Sequence, residues 1–166
     1  MSDHALDLAS TRWHELTQAY GSADDIPRLL AALADEQGER ERAELWFGVT
    51  ATLCPDGRVF TASYAAVPHL LSMTTAASLS ERAVAVHVVT QVEMARHEPG
   101  APTIPDDLVL AYAHAMESLP AIVNELATVP WDAPTAQVLA AALLVGKRHP
   151  MLARDMLRLG EARDER

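Results

Sequence analysis

"AAVPHLLSM" (65–73) reads as helix on both sides of a proline, and the role given to Pro68 decides the fold. An interior helical proline loses a backbone hydrogen bond and crowds the preceding turn, at a cost of about 3 kcal/mol. No Gly, Asn or Asp lies within six residues on either side to turn the chain instead. Two other stretches, "DIPRLL" (25–30) and "SLPAIV" (118–123), share its pattern of an aliphatic residue, Pro, any residue, then two aliphatics. Their prolines, Pro27, Pro68 and Pro120, are separated by 41 and 52 residues. Each is followed 15 or 16 residues later by an alanine (Ala43, Ala83, Ala136) in a second helical segment: "RAELWFGVTATL", "RAVAVHVVTQVEMA" and "TAQVLAAALLVGK". The chain repeats, and each unit reads as a helical hairpin.

The first unit spans 24–54. Asp24 or Asp25 starts its first helix with Pro27 in the first turn, and Leu29, Leu30 and Leu33 form the apolar stripe. Its partner runs from about Glu39 to Cys54, with Ala43, Trp46, Val49 or Thr50, and Leu53 at helical spacing. "CPDGRV" (54–59) ends it with a proline and an Asp-Gly turn. The second unit, 61–97, pairs a helix ending near Ala76 with one capped at Ser80. "EPGAPTIP" (98–105) is a stiff crossover into the third unit, 106–148, where Asp106 and Asp107 open the first helix and Ser118 re-caps the chain ahead of Pro120. Residues 1–23, with a helix over about 10–19, and residues 149–166, with one over about 150–160, cap the two ends of a single domain. The expectation is eight to ten helices and no sheet.

Composition agrees with that class. Hydrophobic residues make up 49% of the 166 but aromatics only 5%, so Ala, Leu and Val fill the core, which favours close-packed helices over strands. The net charge is −10, the wrong sign for a protein whose affinity comes from phosphate contacts. The charge is also unevenly spread. No Lys or Arg occurs between His97 and Gly146, where Glu98, Asp106, Asp107, Glu117, Glu125 and Asp132 lie; the tail then turns basic. Such a block either keeps the surface solvated or steers a basic partner. No stretch reaches 18 apolar residues and no apolar run follows a basic segment near the start, so the expectation is a cytoplasmic protein without a membrane span.

Three two-helix units of about 40 to 50 residues, each with a proline in its first helix, resemble the HEAT repeat superfamily. The likeness sharpens over residues 13–73: "WHELTQAYGSADDIPRLLAAL" (13–33), "AELWFGVTATL" (43–53) and "VFTASYAAVPHLLSM" (59–73) resemble a family of small bacterial HEAT-like proteins. Its members carry a Trp, an Ala-Tyr-Gly and an Ile-Pro-x-Leu-Leu ahead of a Leu-Trp helix, then a Val-Tyr-x-Ala-Thr segment leading into Ala-Val-Pro. One departure stands out: those relatives have a His-Gln-Gly-Thr turn where this chain has "CPDGRVF" (54–60). The resemblance implies an all-α fold, a short α-solenoid of three HEAT-like hairpins with N- and C-terminal capping helices. It gives Pro68 the role of a bend that lets a first helix curve over its neighbour.

No catalytic signature stands out. The seven histidines show neither His-x-x-x-His spacing nor a Cys/His cluster, so no metal is expected. Cys54, the single cysteine, lacks the electropositive setting a nucleophile needs. Phosphate-cradling and dinucleotide-binding glycine motifs are absent, so no cofactor is expected either. The carboxylate pairs at 24–25 and 106–107 sit at helix starts, where the helix dipole accounts for them. DNA glycosylases of the same superfamily use a basic, aromatic-rich concave surface, which this composition does not supply.

A non-catalytic binding module remains. Solenoids present the second helix of each pair on an extended concave face, and here those helices offer Glu44, Trp46, Thr50, His87, Gln91, Met94, Gln137 and Arg148 as partner contacts. Trp46 lies on an apolar stripe, where packing alone explains it. His87 and Gln91, four apart on a Val-rich helix, share one polar stripe. The resembling family includes proteins assigned as immunity proteins, which neutralise a toxin by covering it, and an acidic stack suits a basic toxin. An intracellular adaptor or regulatory scaffold and a small-ligand sensor are the alternatives.

Overall fold

Apolar residues at helical spacing organise the chain from its first hairpin onward. In the computed structural model, which describes residues 4–75 and 77–164, helix α1 (Ile26–Asp35) turns Ile26, Leu30 and Leu33 inward. Pro27 occupies its first turn, where a helix leaves the N–H unpaired in any case. Glu36 closes the next turn, its Oε1 accepting from the backbone N–H groups of Gln37 and Gly38 at 2.8 Å each. Helix α2 (Glu39–Leu53) then buries Trp46, Val49, Thr52 and Leu53. Helices α3 (Thr61–Met73), α4 (Leu79–Ala95), α5 (Val109–Leu126), α6 (Ala133–Gly146) and α7 (Pro150–Asp164) complete an almost wholly helical chain. Residues 1–3, Ala76 and residues 165–166, assigned above to the caps and to a helix end, lie outside the described residues.

Packing follows sequence order. α1 lies on α2, α3 on α4 and α5 on α6. α3 also touches α1 and α5, α4 touches α2 and α6, and α7 covers α6 and α4. The core runs between these helices and is built from small and aliphatic side chains around Trp13, Tyr64 and Tyr112. α3 is its centre: Ala62 to Val67 are all buried, with Leu70 and Leu71.

Four expectations are corrected. The segment 10–19 is not a helix. A single 3-10 turn (Thr11–Glu15) leads into a two-stranded antiparallel ladder, β1 (Thr17–Gln18) with β2 (Gly21–Ser22), so a minimal sheet is present. The cause is partly tertiary: Gly21 turns the chain at φ 128°, and Thr61 Oγ1 takes the Thr17 N–H at 2.8 Å, tying the strand to the start of α3. Seven α-helices and two 3-10 turns (the second at Pro55–Gly57) therefore stand among the described residues. Second, α4 is capped by Ser78 and not Ser80, because Ser78 and Glu81 form the reciprocal capping box. Third, α5 begins at Val109. Asp107 is engaged elsewhere, in a two-bond ion pair with Arg12 at 2.8 and 3.1 Å that fastens the N-terminal segment to the loop ahead of α5.

The fourth correction concerns Pro120, which lies inside a continuous α5, as Pro68 lies inside α3. The neighbouring helix makes room for it with glycine. A Cβ on Gly146 would lie 2.8 Å from Pro120 Cγ, closer than carbon atoms approach, and a proline ring held in a helix cannot swing away. Gly146→Ala is therefore expected to cost about 1–3 kcal/mol through overpacking, against a helix-propensity gain of at most about 1 kcal/mol. A thermal melt lowered by several degrees is the expected reading. An unchanged melt would mean that α5 and α6 are not in this contact.

Candidate binding surface

Three hollows are lined largely by residues of α2, α4, α6 and α7. The first, about 1000 Å³, lies between α2 and α4, walled by Arg42, Trp46, Phe47, Thr50, Glu81 and Val84 among others. The second, about 550 Å³, lies between α4 and α6 and takes in His87, Gln91, Asp132, Gln137 and Val138. The third, about 510 Å³, is bounded by Asp56, Gly57, Gln91, Met94, Glu98 and Arg154. Neighbouring hollows share walls: Ser80 and Val84 belong to the first two, Gln91 and Leu157 to the second and third. They thus adjoin along α4.

Of the eight residues singled out from sequence, six line these hollows. Trp46 and Thr50 wall the first, although Trp46 is 5% exposed and belongs to the core. His87, Gln91 and Gln137 meet in the second, with His87 Nε2 3.0 Å from Gln91 Nε2. Met94, buried, forms part of the third. Glu44 and Arg148 line none of the three. Glu44 is exposed and paired with Arg40 at 3.2 Å. Arg148 lies beyond the end of α6 with φ 66°, the left-handed position that closes a helix, and its N–H bonds Val145 O at 2.9 Å.

Two features escaped the sequence reading. Phe47 is 76% exposed beside the buried Trp46. Arg42 crosses between hairpins: it pairs with Glu81 on α4 and donates to the carbonyls of Leu33 and Glu36 at 3.0 and 2.7 Å, binding α1, α2 and α4 together. Burial pushes the Glu81 carboxyl up, but the bonds from Arg42 and Ser78 outweigh it and hold the group below its ordinary range.

An ionic cluster centres on the buried Glu93 of α4. Glu93 accepts from Arg96 at 2.6 and 2.7 Å, from the Tyr112 hydroxyl at 2.6 Å, and meets His97 Nε2 at 3.2 Å. Arg96 also lies 6.0 Å from the Tyr112 ring centroid, and Tyr64 packs edge-on against Tyr112. Tyr64 in turn donates to the Pro102 carbonyl at 2.7 Å, so the cluster anchors the 98–105 crossover. Cys54 is a buried free thiol that burial pushes up to about 11. It is protonated at neutral pH, the opposite of what a nucleophile requires.

Among the described residues no three His, Cys, Asp or Glu side chains converge to hold a metal ion, and no helix is long and apolar enough to cross a membrane. Comparison with protein-family models, curated proteins and solved structures finds no match to this chain.

Proposed function

We propose that this chain is a non-catalytic, cytoplasmic protein-binding module: a short solenoid of three HEAT-like hairpins whose second helices form the binding face. The observation that carries the reading is that three hollows adjoin along α4, with α2, α6 and α7 supplying other parts of their walls. The packing of each first helix on the next, and of each second helix on the next, is what a solenoid requires. A net charge of −10 suits a basic partner by raising the association rate. Together with the resemblance to small HEAT-like immunity proteins, it favours neutralisation of a basic toxin over an adaptor role. The turn at 54–60, where this chain departs from that family, supplies Asp56 and Gly57 to the third hollow, so the departure alters the face itself.

The test is a partner captured from the native cytoplasm and re-measured against variants by calorimetry. His87→Ala combined with Gln91→Ala is expected to weaken binding at least about tenfold, or 1.4 kcal/mol, mainly through faster dissociation. The melting temperature should scarcely change, because His87 is exposed and Gln91 half-exposed. Unchanged affinity would move the binding face off α4.

A further inference from the structure

We infer that the hollow between α2 and α4 receives a basic peptide segment of the partner, anchored by an apolar side chain against Phe47. This deepens the binding-module reading and rests on it. At about 1000 Å³ the hollow is at the upper end of the size of ligand pockets and has room for several residues of chain. Its apolar wall includes Ala43, Phe47, Met73 and Val84, and the phenyl ring of Phe47 is left largely in water. A few large side chains that become buried on binding carry most of the energy of an interface.

The charge of the occupant follows from the rim. Glu36, Glu39 and Glu81 line the hollow, with Arg42 as its one cation. Arg42 and Glu81 are committed to each other, and Arg42 also to two carbonyls, so the lining leaves Glu36 and Glu39 to an incoming segment and no available guanidinium. The third hollow differs: Arg154 and Arg158 balance Asp56 and Glu98 there. A cationic segment is therefore drawn to the α1–α2 end and has no such preference at the α7 end.

The probe is a random dodecapeptide phage library panned on the intact protein. Enriched peptides are expected to share Lys or Arg with one aromatic or large aliphatic residue. A synthetic member should lose at least tenfold in affinity on Phe47→Asp, and Glu36→Gln with Glu39→Gln should flatten its salt dependence. Circular dichroism melts check that Phe47→Asp folds; if it does not, Phe47→Ala carries the comparison. No enrichment, an acidic or uncharged consensus, or indifference to Phe47 substitution overturns the inference. Peptides that tolerate Phe47→Asp but are lost on His87→Ala with Gln91→Ala overturn it while leaving the binding-module reading intact. A dimer in sedimentation equilibrium that dissociates on Phe47→Asp also overturns it, by making a second copy the occupant.

Discussion

Glu93→Ala is expected to destabilise the fold by about 2–4 kcal/mol, the sum of a buried hydroxyl left without an acceptor and of charged hydrogen bonds lost to Arg96, which is itself 32% exposed. The carboxylate is 7% exposed and accepts from Arg96 twice and from Tyr112 once. Its loss leaves the Tyr112 hydroxyl buried without an acceptor and Arg96 without its counter-charge. For a domain of this size that corresponds to a melt lowered by roughly 4–16 °C, a large share of a total stability of about 5–15 kcal/mol. Glu93→Leu combined with Arg96→Met and Tyr112→Phe should recover most of the loss, since an apolar cluster of similar shape carries no desolvation cost. If the single and triple variants melt alike, the cluster is not the source of the stability.

The same cluster sets a pH dependence. Burial pushes the Glu93 carboxyl up, but hydrogen bonds from Arg96, Tyr112 and His97, with the charge of Arg96, more than offset this and lower it. A carboxyl lowered in the folded state contributes stability that is complete above the ordinary glutamate pKa of about 4.3. That contribution is lost as pH falls through the lower folded value. The gap between wild type and Glu93→Gln in urea midpoints should therefore narrow on acidification below about pH 4.3 and stay constant above it.

The helical character of the chain was legible in the sequence because apolar residues recur at helical spacing, and α2, α4 and α6 open within a few residues of the expected places. The N-terminal cap was not, because its form depends on tertiary contacts: Thr61 holds β1 and Asp107 holds Arg12. Pro120 misled for a related reason, since the residue that admits it, Gly146, belongs to the next helix. Glu93 carried a signal that went unread. It occupies the register of Val86 and Val89 on α4, an acidic residue at an inward position, and all three are buried. On the binding face, Trp46 and Phe47 are adjacent and thus about 100° apart on a helix, so only one could join the apolar stripe. Trp46 takes the stripe and the Phe47 ring is left outside.

Trp46→Ala is expected to cost about 3–5 kcal/mol, as truncation of a buried large aromatic does, because Trp46 is 5% exposed within the core cluster. Trp46→Phe separates the two parts of that side chain. It keeps most of the packing and removes an indole N–H that is buried without an acceptor, a group whose desolvation alone costs about 1–3 kcal/mol. The lost ring volume and the removed unsatisfied donor then act in opposite directions, and the net change in urea midpoint should correspond to less than about 1.5 kcal/mol. A Phe variant as unstable as the Ala variant would mean that the N–H is satisfied by water and that the packing depends on it. Near-wild-type stability makes Trp46→Phe the right background for the binding face. It leaves Trp13 and Trp131 as the remaining indoles, so a peptide that quenches wild-type fluorescence from the α2–α4 hollow should lose that signal while keeping its affinity for Phe47.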